Sequence, residues 1–173
     1  MADGTDPMSR LTELGFALPP YEAPEDPLLM PYNLIGNRLC IGALAPFMLP
    51  DMTIPRLGQD ANIDPSAVNL DDLDEAHPMR KAFVGARLAV LRSLSVAAFA
   101  AGEDLNKIQC CVRASLTVRT GPNFERLGVL GMPLSRIMFT LFGTPPAINV
   151  VGVSALPGAV PMVIETEYLL ADG

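Results

Sequence analysis

The placement of proline constrains this chain more than any other feature. Of its 17 prolines, 11 lie in residues 1–78, none in residues 79–121, and the remaining six between Pro122 and Pro161. Proline fixes φ and removes a backbone donor, which is costly in helix interiors and central strands. The long regular elements are therefore predicted after residue 78, with short elements and extended chain before it.

The residue patterns fill in that outline. Met8 to Gly15 suits a short helix with Gly15 as its stop. Pro19-Pro20-Tyr21-Glu22-Ala23-Pro24 forces an extended arm. Met30 to Ile35 and Arg38 to Leu44 read as two strands joined at Gly36-Asn37, a hairpin signal. Met79 to Ala101 places Phe83, Ala86, Val90, Leu94 and Ala97 at helical spacing, and Gly102 ends it. Ile108 to Arg119 alternates, with Val112, Ala114, Leu116 and Val118 predicted on one face and Arg113, Ser115, Thr117 and Arg119 on the other. Phe124 to Phe142 reads as a second helix, distorted at Gly131-Met132-Pro133. Ala147 to Leu156 and Pro161 to Leu170 are the last strands. This order predicts an α+β domain in which two helices cover one face of a mixed sheet. Residues 47–78 hold seven acidic residues against one basic residue, Arg56. They read as a solvated, mobile excursion with few buried apolar contacts, or as a lid over a site.

Composition excludes several functions. The net charge of −7 and pI of about 4.6 argue against a general phosphate-binding surface, so nucleic acid is disfavoured as a partner. No uninterrupted apolar run reaches the roughly 20 residues of a membrane helix; Ala82 to Ala101 comes nearest and carries Arg87 and Arg92. The opening Met1-Ala-Asp-Gly-Thr-Asp lacks the basic segment of a signal peptide, and three cysteines do not make a disulfide framework. A cytoplasmic protein without membrane partner is expected.

The chemistry-bearing residues are few. There is one histidine, His77, which suits a surface or capping role, with a catalytic role as the alternative. Cys110 and Cys111 point to opposite strand faces, so they cannot chelate one metal within a chain. Neither a metal nor a cofactor is expected. No Gly-x-x-x-x-Gly-Lys-Ser/Thr loop and no Gly-x-Ser-x-Gly elbow occurs. Glu165 and Glu167 lie two apart on the last strand and share a face. That face is solvent-exposed or lines a polar cleft, since burying two carboxylates among helices costs several kcal/mol. Arg113 on the central strand poses the same question.

Several blocks together resemble a known family. Gly85-Ala-Arg-Leu-Ala-Val-Leu followed by Gly102-Glu-Asp-Leu-Asn-Lys-Ile is similar to the first helix and turn of the Rid proteins. These are the reactive-intermediate deaminases, also called the YjgF or L-PSP endoribonuclease family. Val112-Arg-Ala-Ser-Leu-Thr-Val, Pro122-Asn-Phe, Leu141-Phe-Gly and Val151-Gly-Val-Ser-Ala-Leu-Pro-Gly-Ala resemble later blocks. Leu11-Thr-Glu-Leu-Gly-Phe-Ala-Leu-Pro-Pro is similar to the opening of a subgroup with an N-terminal extension. The resemblance divides the chain into an extension, residues 1–28, and a single domain, residues 29–173, carrying a long insertion at 47–78.

The resemblance implies a chorismate-mutase-like (YjgF-like) fold and a homotrimer with clefts between subunits. In active members an Arg at the start of the penultimate strand grips the substrate carboxylate. A Glu on the last strand orients water on an imine or enamine, and an Asn of the second helix and a Ser of the second strand complete the pocket. Here Ile148 falls at the Arg position, Val163 at the Glu position, Met132 at the Asn position and Gly42 at the Ser position. With Val150, they imply an apolar ligand cleft unsuited to small 2-imino acids. Glu165, two residues after Val163, is the expected catalytic group, with Arg113 as its aid. Its strand face is expected to meet the strand bearing Ile148 and Val150, with Ile148 and Met132 as apolar neighbours. The alternative role for Glu165 is a structural ion pair with Arg113. Two functions are carried forward. One is hydrolysis of a C=N bond, or a related enol/enamine step, on a small and largely apolar molecule. The other is non-catalytic binding of such a ligand or of a protein partner. Endoribonuclease activity is disfavoured by the charge and the scarcity of aromatics.

Overall fold

A computed structural model describes residues 6–47 and 52–171. Helix α1 (Pro7–Glu13) starts at Asp6, whose carboxylate accepts the Met8 and Ser9 N–H groups at 2.9 and 3.1 Å. It docks on the third helix through buried Leu11 and through Arg10, which donates to the Leu141 carbonyl at 2.8 Å. Strands β1 (Tyr32–Ile35) and β2 (Arg38–Leu44) form the predicted hairpin, with Gly36 at φ +62° in the turn.

Helix α2 (Pro78–Ala100) has His77 as its N-cap; the imidazole Nδ1 accepts the Met79 N–H at 3.2 Å. The five residues predicted at helical spacing are all buried. Gly102 at φ +76° turns the following Glu103 N–H back onto the Ala98 carbonyl at 2.7 Å and closes the helix. The helix is long and apolar enough to cross a membrane by length and composition, which the count of uninterrupted apolar runs did not show. However, 72% of its most apolar stretch is buried inside the fold, so that surface already serves the core.

Strand β3 (Ile108–Arg119) has the predicted bounds. The second long helix is shorter than predicted: a 3₁₀ turn occupies Leu127–Gly131, and α3 runs Met132–Phe142 with Pro133 in its first turn. Strands β4 (Ala147–Val153) and β5 (Met162–Leu170) complete a five-stranded sheet in the order β1-β2-β5-β3-β4. Only the β3–β4 pair is parallel, with α3 in its crossover. Helices α2 and α3 cover one face of the sheet, and α1 rests on α3. The result is a mixed α+β fold. Among the described residues, no element layers on the other sheet face.

Two expectations are corrected. Val112 does not share the face of Ala114. A bulge between Cys111 and Arg113 inserts one residue opposite β5, so Cys111 stays in the core and Val112 turns outward, 41% exposed. Residues 52–78 are also not a loose excursion. Ile54, Leu57, Ala61 and Leu70 are buried in the same core as the helices. Leu57 bridges Thr120, and the Leu57 carbonyl accepts the Gly121 N–H at 2.6 Å. The Asn62 amide donates to the Asn123 carbonyl at 2.8 Å and accepts the Glu125 N–H at 2.9 Å. The acidic count concealed apolar anchors spaced several residues apart. Of the insertion, positions 48–51 lie outside the described residues.

Candidate functional site

The sequence-predicted site residues fall into two groups on opposite faces of the sheet. The register decides this. Ser115 pairs with Glu165 on one side and with Asn149 on the other, whereas Ile148 pairs with Ala114 and Val150 with Leu116. Ala114 and Leu116 face the helices, so Ile148 and Val150 do too, at the free edge of β4. Glu165 faces the open side. Strand β3 also lies between β4 and β5. The expected meeting of Glu165 with Ile148 and Met132 therefore does not occur within one chain.

The first group forms an apolar hollow of about 380 Å³ at the β4 edge, where α3 begins. Met132, Ile148 and Val150 line it with Gly128, Gly131 and Ser135. Gly131 permits the close approach: a Cβ there would lie 3.3 Å from both Ile148 Cγ2 and Val150 Cγ2. No ionisable side chain lines the hollow. Met132 is 51% exposed and Ile148 36%, on a strand whose outer edge pairs with nothing among the described residues.

The second group lies on the open face. Arg113, Ser115, Glu165 and Glu167 gather with Cys40 around a hollow of about 220 Å³. Val163 lies on the same side of β5 two residues before Glu165 and pairs with Thr117. Gly42 sits in the bulge where β2 passes Glu165, and its N–H is held by the Pro31 carbonyl at 2.8 Å. The cross-strand neighbour of Arg113 is Glu167, and Glu167 is ion-paired with Arg38. Within one chain the alternative Arg113–Glu165 ion pair does not form; among the described residues neither side chain has a salt-bridge partner. A cation, a hydroxyl and two carboxylates thus converge on an unroofed surface.

Sequence reasoning missed two further features. Ser93, Thr166 and Tyr168 form a buried hydroxyl cluster, with Ser93 Oγ 2.6 Å from Thr166 Oγ1 and 2.9 Å from Tyr168 Oη. A serine inside an otherwise apolar helix face was the available signal. The cysteines are free, and burial pushes the Cys111 thiol up to about 12, so it is inert as a nucleophile. The other feature is a cavity of about 430 Å³ beside α3, built from four separated segments. No group of three or more potential metal ligands occurs among the described residues.

No protein-family profile matches the sequence, and no curated protein does. Solved structures do match. Atu1372, a protein of unknown function from Agrobacterium tumefaciens, superposes with a TM-score of 0.71 at 22% identity, covering 95% of this chain and 94% of that one. A candidate endoribonuclease from Shewanella oneidensis gives 0.75 at 18% identity, covering 96% and 100%. TdcF of E. coli, solved with bound serine, gives 0.50 at 15% identity, covering 90% and 91%. The fold is YjgF-like.

The Rid resemblance is thereby borne out at the level of the fold.

Proposed function

We propose that the protein is a cytoplasmic homotrimer that binds a small, largely apolar molecule at the β4 edge, in a cleft completed by a neighbouring subunit. The observation that carries this reading is the hollow of Met132, Ile148 and Val150: apolar, without a charge, and open at an unpaired strand edge. Ligand sites are concave and mostly apolar with few polar groups, and this one offers Ser135 as its polar handle. The trimer is supported by the open sheet face, where Ile35 is 63% exposed and Val112 and Val151 41% each. Apolar side chains beside the Arg38–Glu167 pair suit a surface covered by further copies. Three free thiols suit a reducing compartment. Light scattering at micromolar concentration should give three times the 18.4 kDa chain mass; a monomer would sink the trimer and its cleft together.

The same hollow predicts what the protein does not do. A small 2-imino acid carries a carboxylate, which needs a cation or several N–H donors once desolvated. An arginine would supply a charged hydrogen bond worth roughly 1.5–3 kcal/mol, and Ile148 supplies none. Keto-acid release from freshly generated iminopyruvate should therefore run at the buffer rate. Clear acceleration would overturn the reading of the β4 hollow as the substrate site.

A second reading is favoured by the convergence of Arg113, Ser115 and Glu165 on the open face. In it, the trimer brings this face against the apolar hollow of a neighbour, and Glu165 activates water on a C=N bond while Arg113 balances its charge. Glu165→Gln then lowers turnover by about 10²–10⁴, the usual weight of one acid–base group. Under the binding reading the same variant leaves ligand affinity and trimer mass unchanged.

A further inference from the structure

The 430 Å³ cavity beside α3 is separate from both hollows, with Met132 forming the wall it shares with the one at the β4 edge. Its apolar lining includes Phe16, Leu70, Phe83 and Ile137, and the strap supplies one wall through residues 65–71. Two guanidinium groups stand among these side chains, Arg87 and Arg136.

The two arginines are not equivalent. Arg87 is held in place: its Cζ lies 4.6 Å from the Phe83 ring centroid, and its Nη2 bonds Asp71 Oδ1 at 2.7 Å. Its charge is balanced by the strap. Arg136 is exposed and has neither an ion pair nor a hydrogen bond among the described residues. Two guanidinium groups and one carboxylate leave a net single positive charge beside the apolar wall of Phe16, Leu70, Phe83 and Ile137. The volume lies in the range of small-molecule sites. Such a cavity matches a monoanion with an apolar body, and the planar guanidinium fork matches a carboxylate.

We infer that this cavity binds a small amphipathic carboxylate, its apolar body against Phe83, Leu70 and Ile137 and its carboxylate on Arg136. The 47–78 segment then has a binding role besides packing, since it closes one side of the site and neutralises Arg87.

The test uses the full chain with octanoate and its neutral isostere octanamide as probes, read by calorimetry and by methyl NMR. Octanoate should bind about tenfold more tightly than octanamide, the weight of one charged hydrogen-bonded pair. Arg136→Met, which keeps the apolar stem, should weaken octanoate about tenfold and leave octanamide unchanged. The methyl shifts should appear at Leu70 and Ile137. Equal affinity for the two probes, or octanoate binding indifferent to Arg136→Met, overturns the inference. So do shifts confined to Ile148 and Val150, which would place the probe in the β4 hollow instead.

Discussion

Ser93→Ala is expected to lower the unfolding free energy by about 1–3 kcal/mol, beyond Tyr168→Phe at about 1 kcal/mol. The asymmetry follows from geometry. Ser93 Oγ is the hub of the buried hydroxyl cluster, bonding Thr166 Oγ1 and Tyr168 Oη at once. Ser93 and Tyr168 are fully buried and Thr166 nearly so. Removing the hub costs both of its bonds and leaves the Thr166 and Tyr168 hydroxyls only each other, where an under-satisfied buried hydroxyl costs about 1–3 kcal/mol. Removing the tyrosine hydroxyl leaves the Ser93–Thr166 bond intact. Burial also raises the Tyr168 pKa above its ordinary value, so the phenol is a neutral donor at neutral pH. Against a typical total of 5–15 kcal/mol, the Ser93→Ala loss is a large fraction. Urea unfolding of both variants checks it. Equal losses, or the larger one in Tyr168→Phe, would mean that the cluster does not hang on Ser93.

This cluster also shows where a sequence stops being legible. The helix α2 was readable because its five spaced apolar residues are a local pattern, and so were the bounds of β3. The partners of Ser93 are 73 and 75 residues away, on β5, and no local pattern announces them. Val112 failed for a related reason. Alternation along β3 predicts its face correctly only while the strand keeps step with β5, and the bulge after Cys111 is a property of the pair.

The site was legible in parts and illegible as an assembly. Met132, Ile148 and Val150 do come together, and so do Arg113 and Glu165. Their separation onto opposite faces depends on the pairing register, and β5 inserting between β2 and β3, away from its sequence neighbour β4, sets them further apart. Chain order suggests β4 and β5 as neighbours; hydrogen-bonded order does not. The cavity with Arg87 and Arg136 was invisible because its walls come from positions near 14, 68, 85 and 134. In each case the missing information is long-range pairing, which residue spacing does not encode.

The strap gives the other large effect. Leu57→Ala is expected to cost about 2–5 kcal/mol, the range for a fully buried leucine whose site cannot collapse. Leu57 has no exposed surface, and its backbone is fixed against Thr120 and Gly121, so the chain cannot settle into the space left behind. Gly85 supplies a second handle on the same segment. It leaves a slot in α2 that the Ile54 side chain fills, and a Cβ at position 85 would overlap Ile54 Cδ1. Gly85→Val should therefore push the strap off the helix, at an overpacking cost of about 1–3 kcal/mol that a modest gain in helix propensity offsets only in part. Both variants should be cut by protease within residues 52–78 well before the rest of the chain, while the parent resists there as it does elsewhere. Because the strap also walls the Arg87–Arg136 cavity, Gly85→Val should weaken octanoate binding along with protease resistance. A Leu57→Ala protein that loses less than about 1 kcal/mol and keeps the parent's cleavage pattern would show that the segment merely lies on the core, and the acidic composition would then have been the better guide to it than its buried leucines.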